Sequence, residues 1–160
     1  MKEHILHASF LAYDTAGELP APDRALLEQA RAALEHSYSP YSHFKVGVAI
    51  WMANGEIMRG SNYENAAYPL CICAEQAVLA AAASRFPGIA VQALAVVIKG
   101  QHRVIDIPAA PCGGCRQVIC ETERKNNCPI RIVLQGETGP VYVFEKGGDL
   151  LPLAFEGSYL

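Results

Sequence analysis

Cys73-Ala74-Glu75 and Pro111-Cys112-Gly113-Gly114-Cys115 place three thiols and one carboxyl group in two short runs. Each run stands where a loop gives way to a predicted helix, over residues 74–85 and 113–125. Helix N-termini carry unpaired N–H groups and a positive dipole end, which favours thiolates. Three thiolates on two helix starts can converge on one zinc ion. Three protein ligands leave a fourth position for water, the catalytic rather than the structural arrangement. Water there ionises near about pH 7. Glu75, two residues after Cys73, stays near such a metal without ligating it, so it can take a proton from that water and pass it on.

The same residues have other possible uses. A structural zinc site would need Cys71, Cys120, Cys128 or His102 as fourth ligand, and none of these has typical ligand spacing. A metal-free cluster of buried thiols fits poorly with Gly113-Gly114, which suits backbone wrapping tightly around something. Cys71, Cys120 and Cys128 are therefore expected to be small core residues. His43 is expected to be structural or solvent-facing.

The elements that must position these groups follow from periodicity. Leu26, Ala30, Ala33 and Leu34 share one helical face, with Pro22-Asp23 as a start and Ser39-Pro40 as a stop. Residues 44–51 and 56–61 read as strands around an Asn54-Gly55 two-residue hairpin signal. Residues 93–99 form an apolar run typical of an interior strand. Residues 130–134 and 141–144 are strands separated by too few residues for a parallel crossover, so they should run antiparallel. Residues 1–22 show little helix or strand signal and are read as an arm or extension before one α/β domain over 23–160.

Bulk properties narrow the function further. The formal net charge is −3, with 51% hydrophobic and 18% charged residues in 160. That balance is globular and lacks the basic excess of a polynucleotide binder. No run approaches the roughly 18 apolar residues of a membrane span, and no signal peptide is evident. The reading is cytoplasmic, with six reduced cysteines.

Ser39-Pro40-Tyr41-Ser42-His43-Phe44-Lys45-Val46-Gly47, Asn62-Tyr63-Glu64-Asn65, Cys73-Ala74-Glu75 and Pro111-Cys112-Gly113-Gly114-Cys115-Arg116-Gln117, with the tail from Leu150 to Phe155, resemble the small, homotetrameric cytidine deaminases in order and spacing. The spacing of cysteine, glutamate and P-C-x-x-C is that of zinc deaminases in general. The resemblance implies a three-layer α/β/α sandwich around a five-stranded mixed sheet. It implies hydrolytic deamination of free cytidine and deoxycytidine to uridine and deoxyuridine, a pyrimidine-salvage reaction.

By the same resemblance, Cys73, Cys112 and Cys115 would hold one Zn2+ per subunit and Glu75 would shuttle protons. Phe44 would flank the base, Asn62 and Glu64 would bond the ribose hydroxyl, and the Ala74 N–H would serve the base carbonyl. Tyr68 and Phe155 would arrive from neighbouring subunits of a homotetramer. Gln76 departs from the arginine that the family often places after the catalytic glutamate.

Rival functions are a deaminase of another aminated heterocycle, a polynucleotide editor, or a non-catalytic zinc module. The loop 62–65, with a carboxylate and an amide but no cation for a phosphate, favours a free nucleoside. Net charge and the short 135–140 turn speak against polynucleotides, and the intact Glu75 speaks against a purely structural module.

Overall fold

The computed structural model describes residues 1–160, the side chain of Tyr159 excepted. In chain order the main elements are β1 (Leu11–Tyr13), α1 (Ala21–Ala33), β2 (Phe44–Met52), β3 (Ile57–Ser61), α2 (Ala74–Arg85), β4 (Val91–Gly100), α3 (Gly113–Asn126), β5 (Arg131–Gln135) and β6 (Val141–Phe144). They form one mixed sheet of order β1-β6-β5-β4-β2-β3. The neighbours β4 and β5 run parallel, joined through α3, and β5 and β6 run antiparallel as their short connection requires.

Side chains alternate across the sheet and so divide the core in two. Ala49, Ala95, Val97 and Val133 meet Leu26, Leu27 and Ala30 of α1 on one face. Val48, Ile50, Val96, Ile98 and Ile132 meet Val78 and Leu79 of α2 and Ile119 of α3 on the other. The result is the three-layer α/β/α sandwich. Among the described residues no helix is long and apolar enough to cross a membrane.

The structure departs from the sequence reading in three places. The sheet has six strands rather than five, because Leu11–Tyr13 pairs antiparallel with β6. Phe10 reinforces that edge, its ring 4.6 Å from Tyr142 and 5.2 Å from Phe144. A three-residue strand held by tertiary pairing leaves little local signal. The β2–β3 connection is a three-residue loop, with Met52 N–H bonded to Glu56 C=O at 2.9 Å. Only Gly55 has positive φ there (+86°), whereas a two-residue type I′ turn needs it twice. Finally, Cys71 is exposed and Cys120 and Cys128 are half-buried, so none of the three is a core residue. Cys71 sits in the loop entering α2, and its sulfur accepts from Asn65 N–H at 3.3 Å.

The start of α1 is fixed by a charge pair. Asp23, 6% exposed, receives Nε and Nη2 of Arg131 on β5 at 3.0 and 2.9 Å. Asp23→Ala leaves a half-buried guanidinium without its two-pronged partner. The expected cost is about 2–3 kcal/mol, read as a lower urea midpoint at unchanged m.

Candidate functional site

Two helix starts build the site. Cys73 is the N-cap of α2 and Cys112 the N-cap of α3, both with extended backbone, and Cys115 is the third residue of α3. On α2, Gly60 of β3 permits a close approach: a Cβ there would lie 2.8 Å from Val78 Cβ and 3.0 Å from Ala74 O. On α3, Arg116 ties the first turn down, donating to Pro111 O at 2.7 Å and Leu150 O at 3.0 Å.

The sulfurs of Cys73, Cys112 and Cys115 lie within 4.8 Å of one another, and those of Cys112 and Cys115 are 3.3 Å apart. Tetrahedral zinc with bonds of about 2.3 Å separates its sulfurs by about 3.8 Å, so this donor set fits zinc. The Cys112 sulfur also accepts from Cys115 N–H at 3.4 Å.

Thiol acidity differs around the cluster. Burial pushes Cys73 up. It also pushes Cys115 up, and the Glu75 charge adds to the rise. Burial opposes ionisation of Cys112 too, but N–H groups of Cys115 and Gly114 and the neighbouring thiols outweigh it, leaving Cys112 below the ordinary thiol range. The helix-start effect expected for all the thiols thus prevails at Cys112 alone. For Cys73 and Cys115 to ionise alongside Cys112, a cation among the three sulfurs is needed, which is the condition a divalent metal would meet.

Glu75 lies in the first turn of α2, 4% exposed. Burial raises its carboxyl, opposed by its own N–H and by the Cys115 thiol. A carboxyl group so placed keeps its proton more readily than one in water, which suits a group that must carry a proton between two partners. Gln76, in the place of the family's arginine, points its amide at Cys115, Nε2 3.9 Å from the sulfur.

These groups open on a cavity of about 350 Å³ lined by Phe44, Val46, Val96 and Ile98 of the sheet, Asn62–Glu64, Cys71–Glu75 and Ala109–Cys112, together with Cys115. Phe44, Asn62, Glu64 and Ala74 are therefore brought together with Glu75 and the three cysteines. Asn62 has a second task. Its Oδ1 accepts from Ser37 Oγ at 2.6 Å and Val46 N–H at 2.8 Å, and its Nδ2 donates to Phe44 O at 2.9 Å. One amide hydrogen remains outside these bonds. Glu64 accepts from Tyr41 N–H at 2.9 Å, Ser42 N–H at 3.2 Å and the Ser42 hydroxyl. The Ser42 hydroxyl chiefly, together with those N–H groups and the nearby His43, holds its carboxyl below the usual carboxylate range against the opposing effect of desolvation.

Tyr68 and Phe155 are not brought to this cavity within one chain. Tyr68 is 69% exposed and lies edge-on to Tyr41 at 6.1 Å. The Phe155 backbone exchanges hydrogen bonds with the Gln117 amide at 2.8 and 3.2 Å. His43 is exposed, as expected, with its ring edge-on to His102. Sequence reasoning missed Ser37, Ser42 and Arg116 as the residues that hold the site. Ser42 and Arg116 stood inside the recognised motifs, but Glu64 and Leu150, the partners that tie them to other segments, are distant in sequence and become visible only in the fold.

Comparison with known proteins agrees with this geometry. A family model described as the cytidine and deoxycytidylate deaminase zinc-binding region matches residues 20–128. A cytidine deaminase of Halalkalibacterium halodurans is 40% identical over 130 residues, 81% of this chain and 91% of that protein. The crystal structure of cytidine deaminase from Burkholderia pseudomallei superposes with TM-score 0.71 at 44% identity, covering 82% of this chain and 97% of the other. That from Mycobacterium tuberculosis gives TM-score 0.63 at 35% identity, covering 82% and 95%. With a sandwich fold, a zinc-fitting cysteine triad and these relatives, the chain belongs to the cytidine and deoxycytidylate deaminase family.

Proposed function

We propose that this chain hydrolyses free cytidine and deoxycytidine to uridine and deoxyuridine, releasing ammonia, and so serves pyrimidine salvage in the cytoplasm. The observation that carries the reading is the buried Glu75 carboxyl beside three converging sulfurs in the lining of a nucleoside-sized cavity. Cys73, Cys112 and Cys115 would hold the zinc. When bound, the metal supplies Lewis-acid activation of water at neutral pH.

Glu75 takes the proton from the attacking water and delivers it to ring N3. Glu75 then collects the second proton from the hydroxyl now bonded to C4 and passes it to the amino group, so that the C4–N bond breaks, ammonia leaves and the C4 carbonyl forms. The Ala74 N–H, at the first position of α2, donates to the base carbonyl and sets the face presented for attack. Phe44 covers the base, which keeps bulk water from the reacting carbon. The remaining Asn62 amide hydrogen and the Glu64 carboxylate take the ribose hydroxyl.

A homotetramer completes this reading, with Tyr68 and Phe155 of neighbouring copies closing the pocket. Residues 23–160 are the catalytic domain and 1–22 an extension of it. The test is loss of cytidine absorbance in the ultraviolet with zinc counted per chain. No turnover from fully zinc-loaded protein, with turnover of another aminated heterocycle instead, overturns the substrate assignment.

Glu64 supplies a separate prediction. Glu64→Gln keeps an acceptor but loses the charge, and KM for cytidine is expected to rise about tenfold, as one charge-assisted hydrogen bond is worth. Because the folded carboxyl lies below its ordinary value of 4.5, the wild-type charge is present above that pKa and is lost only as pH falls through it. KM is therefore expected to stay flat in this respect from neutrality to roughly pH 5. Initial-rate measurements on zinc-loaded enzyme across that range check both statements.

A further inference from the structure

Phe44, Val46 and Ile98 face the substrate cavity, and the residues between and beside them on the same strands, Lys45 and Lys99, face the opposite side of the sheet. There they line a second cavity of about 480 Å³, bounded by the end of α1 and by the segment Ser39 to His43. Lys45 and Lys99 are direct partners in the β2–β4 register. Like charges directly opposite each other on antiparallel strands repel and destabilise the pair.

Arg31 adds a third cation to the lining, and Glu35 is the one acidic side chain in it. The other acids nearby are partly committed: Glu137 lies 3.3 Å from Lys99 Nζ, and Glu28 lies 3.8 Å from Arg31 Nε. Arg31 also donates to Gln135 Oε1 at 2.6 Å and Glu137 O at 3.1 Å. Lys45 makes no ion pair among the described residues. Lys45, a half-buried residue opposite Lys99 in the register, is left for an anion from outside the chain.

We propose that this rear cavity binds a small molecule carrying a phosphate monoester, with the phosphate between Lys45 and Lys99. A doubly negative group gives Lys45 the counter-charge it lacks and shares Lys99 with Glu137, and Ser39, His43 and Gln101 in the lining add hydrogen-bonding capacity. The volume is far larger than a bare phosphate needs and falls in the range of small-ligand sites, so the ligand has an organic body of about mononucleotide size.

Occupancy reaches the substrate side through a short path. Ser39 and His43 line the rear cavity, and His43 N–H bonds Ser39 C=O at 3.1 Å to close the turn between them. The residues inside that turn, Tyr41 and Ser42, hold Glu64. A ligand that fixes the turn from behind therefore fixes the carboxylate that meets the ribose, and KM for cytidine changes with it. This coupling rests on the proposed deaminase activity; the binding itself does not.

The test is isothermal titration of zinc-loaded full-length protein with inorganic phosphate, ribose 5-phosphate and uridine monophosphate in turn. Wild type is expected to bind the phosphate esters saturably, and more tightly than inorganic phosphate. Lys45→Gln and Lys99→Gln are each expected to weaken binding at least about tenfold. Lys45→Gln breaks no ion pair, so its melting temperature is expected to be no lower than wild type; Lys99→Gln also gives up its contact with Glu137, so its fold is checked by circular dichroism at the temperature of the titration. Absence of saturable binding up to about 10 mM ligand, or equal binding by wild type and both variants, overturns the site. Inorganic phosphate binding as tightly as the esters overturns the mononucleotide-sized ligand. With ribose 5-phosphate present, KM for cytidine is expected to change in wild type and not in Lys45→Gln. An unchanged wild-type KM at saturating ligand overturns the coupling, whereas absent deamination with intact binding overturns the activity and leaves the site standing.

Discussion

Glu75→Gln is expected to keep its zinc and to lose turnover of cytidine by about a thousandfold or more. Glutamine has nearly the same shape, so the first turn of α2, with Cys73 and Ala74 beside it, has no reason to move. What it lacks is the ability to accept a proton. Positioned general acid–base groups are worth about 10²–10⁴-fold per role, and here one carboxyl serves both the ring nitrogen and the departing amine. Burial is what makes the group suitable: at 4% exposure its protonated form is favoured more than that of a carboxyl in water. Zinc counted per chain, circular dichroism and single-turnover rates separate the outcomes. A variant with full zinc and kcat within about tenfold of wild type would remove Glu75 from the chemistry.

The same residue shows how far the sequence carries. α2 and β6 were placed to the residue, at Ala74–Arg85 and Val141–Phe144, because their limits are local. A cysteine run precedes one, Pro87-Gly88 follows it, and turn residues bracket the other. The cysteine triad was legible for a related reason: each cysteine stands at or just inside a helix start, and helix starts are written in nearby residues. What was not legible depends on partners far along the chain. Sequence alone gave no hint that Ser42 would lock Glu64, that Leu11–Tyr13 would extend the sheet, or that Lys45 and Lys99 would face each other. A one-residue shift in the β2–β4 register would have parted the two lysines onto opposite faces. The run of alanines in α2 suits close packing, yet Ala80, Ala81 and Ala83 are exposed in the single chain. Small size permits close packing without saying against what.

Gly47→Ala is expected to cost about 3 kcal/mol, well beyond the usual effect of adding one methyl group. Gly47 stood in the recognised run Phe44 to Gly47 without an assigned task, and the fold gives it one. A Cβ on it would lie 2.2 Å from Ala30 O, 2.9 Å from Leu34 N and 3.2 Å from Leu34 Cγ. The two nearest atoms are backbone, so no rotamer change relieves the clash. Either α1 lifts from the sheet, loosening Leu26, Leu27 and Ala30 from their core, or β2 bows toward the substrate cavity on its other face. For a chain of this size the melting temperature should fall by about 6–12 °C. Gly113→Ala is the informative comparison: nothing lies within 4 Å of its added Cβ, and it occupies the first turn of α3. There the same methyl group meets open space and improves helix propensity, so stability should hold or rise by up to about 1 kcal/mol. Equal melting shifts for the two variants would mean that the contact between α1 and β2 is looser than these distances require. A large loss at Gly47 alone would locate the cost in backbone approach, the feature that lets one helix cover the back of the strands carrying Phe44, Lys45 and Val46.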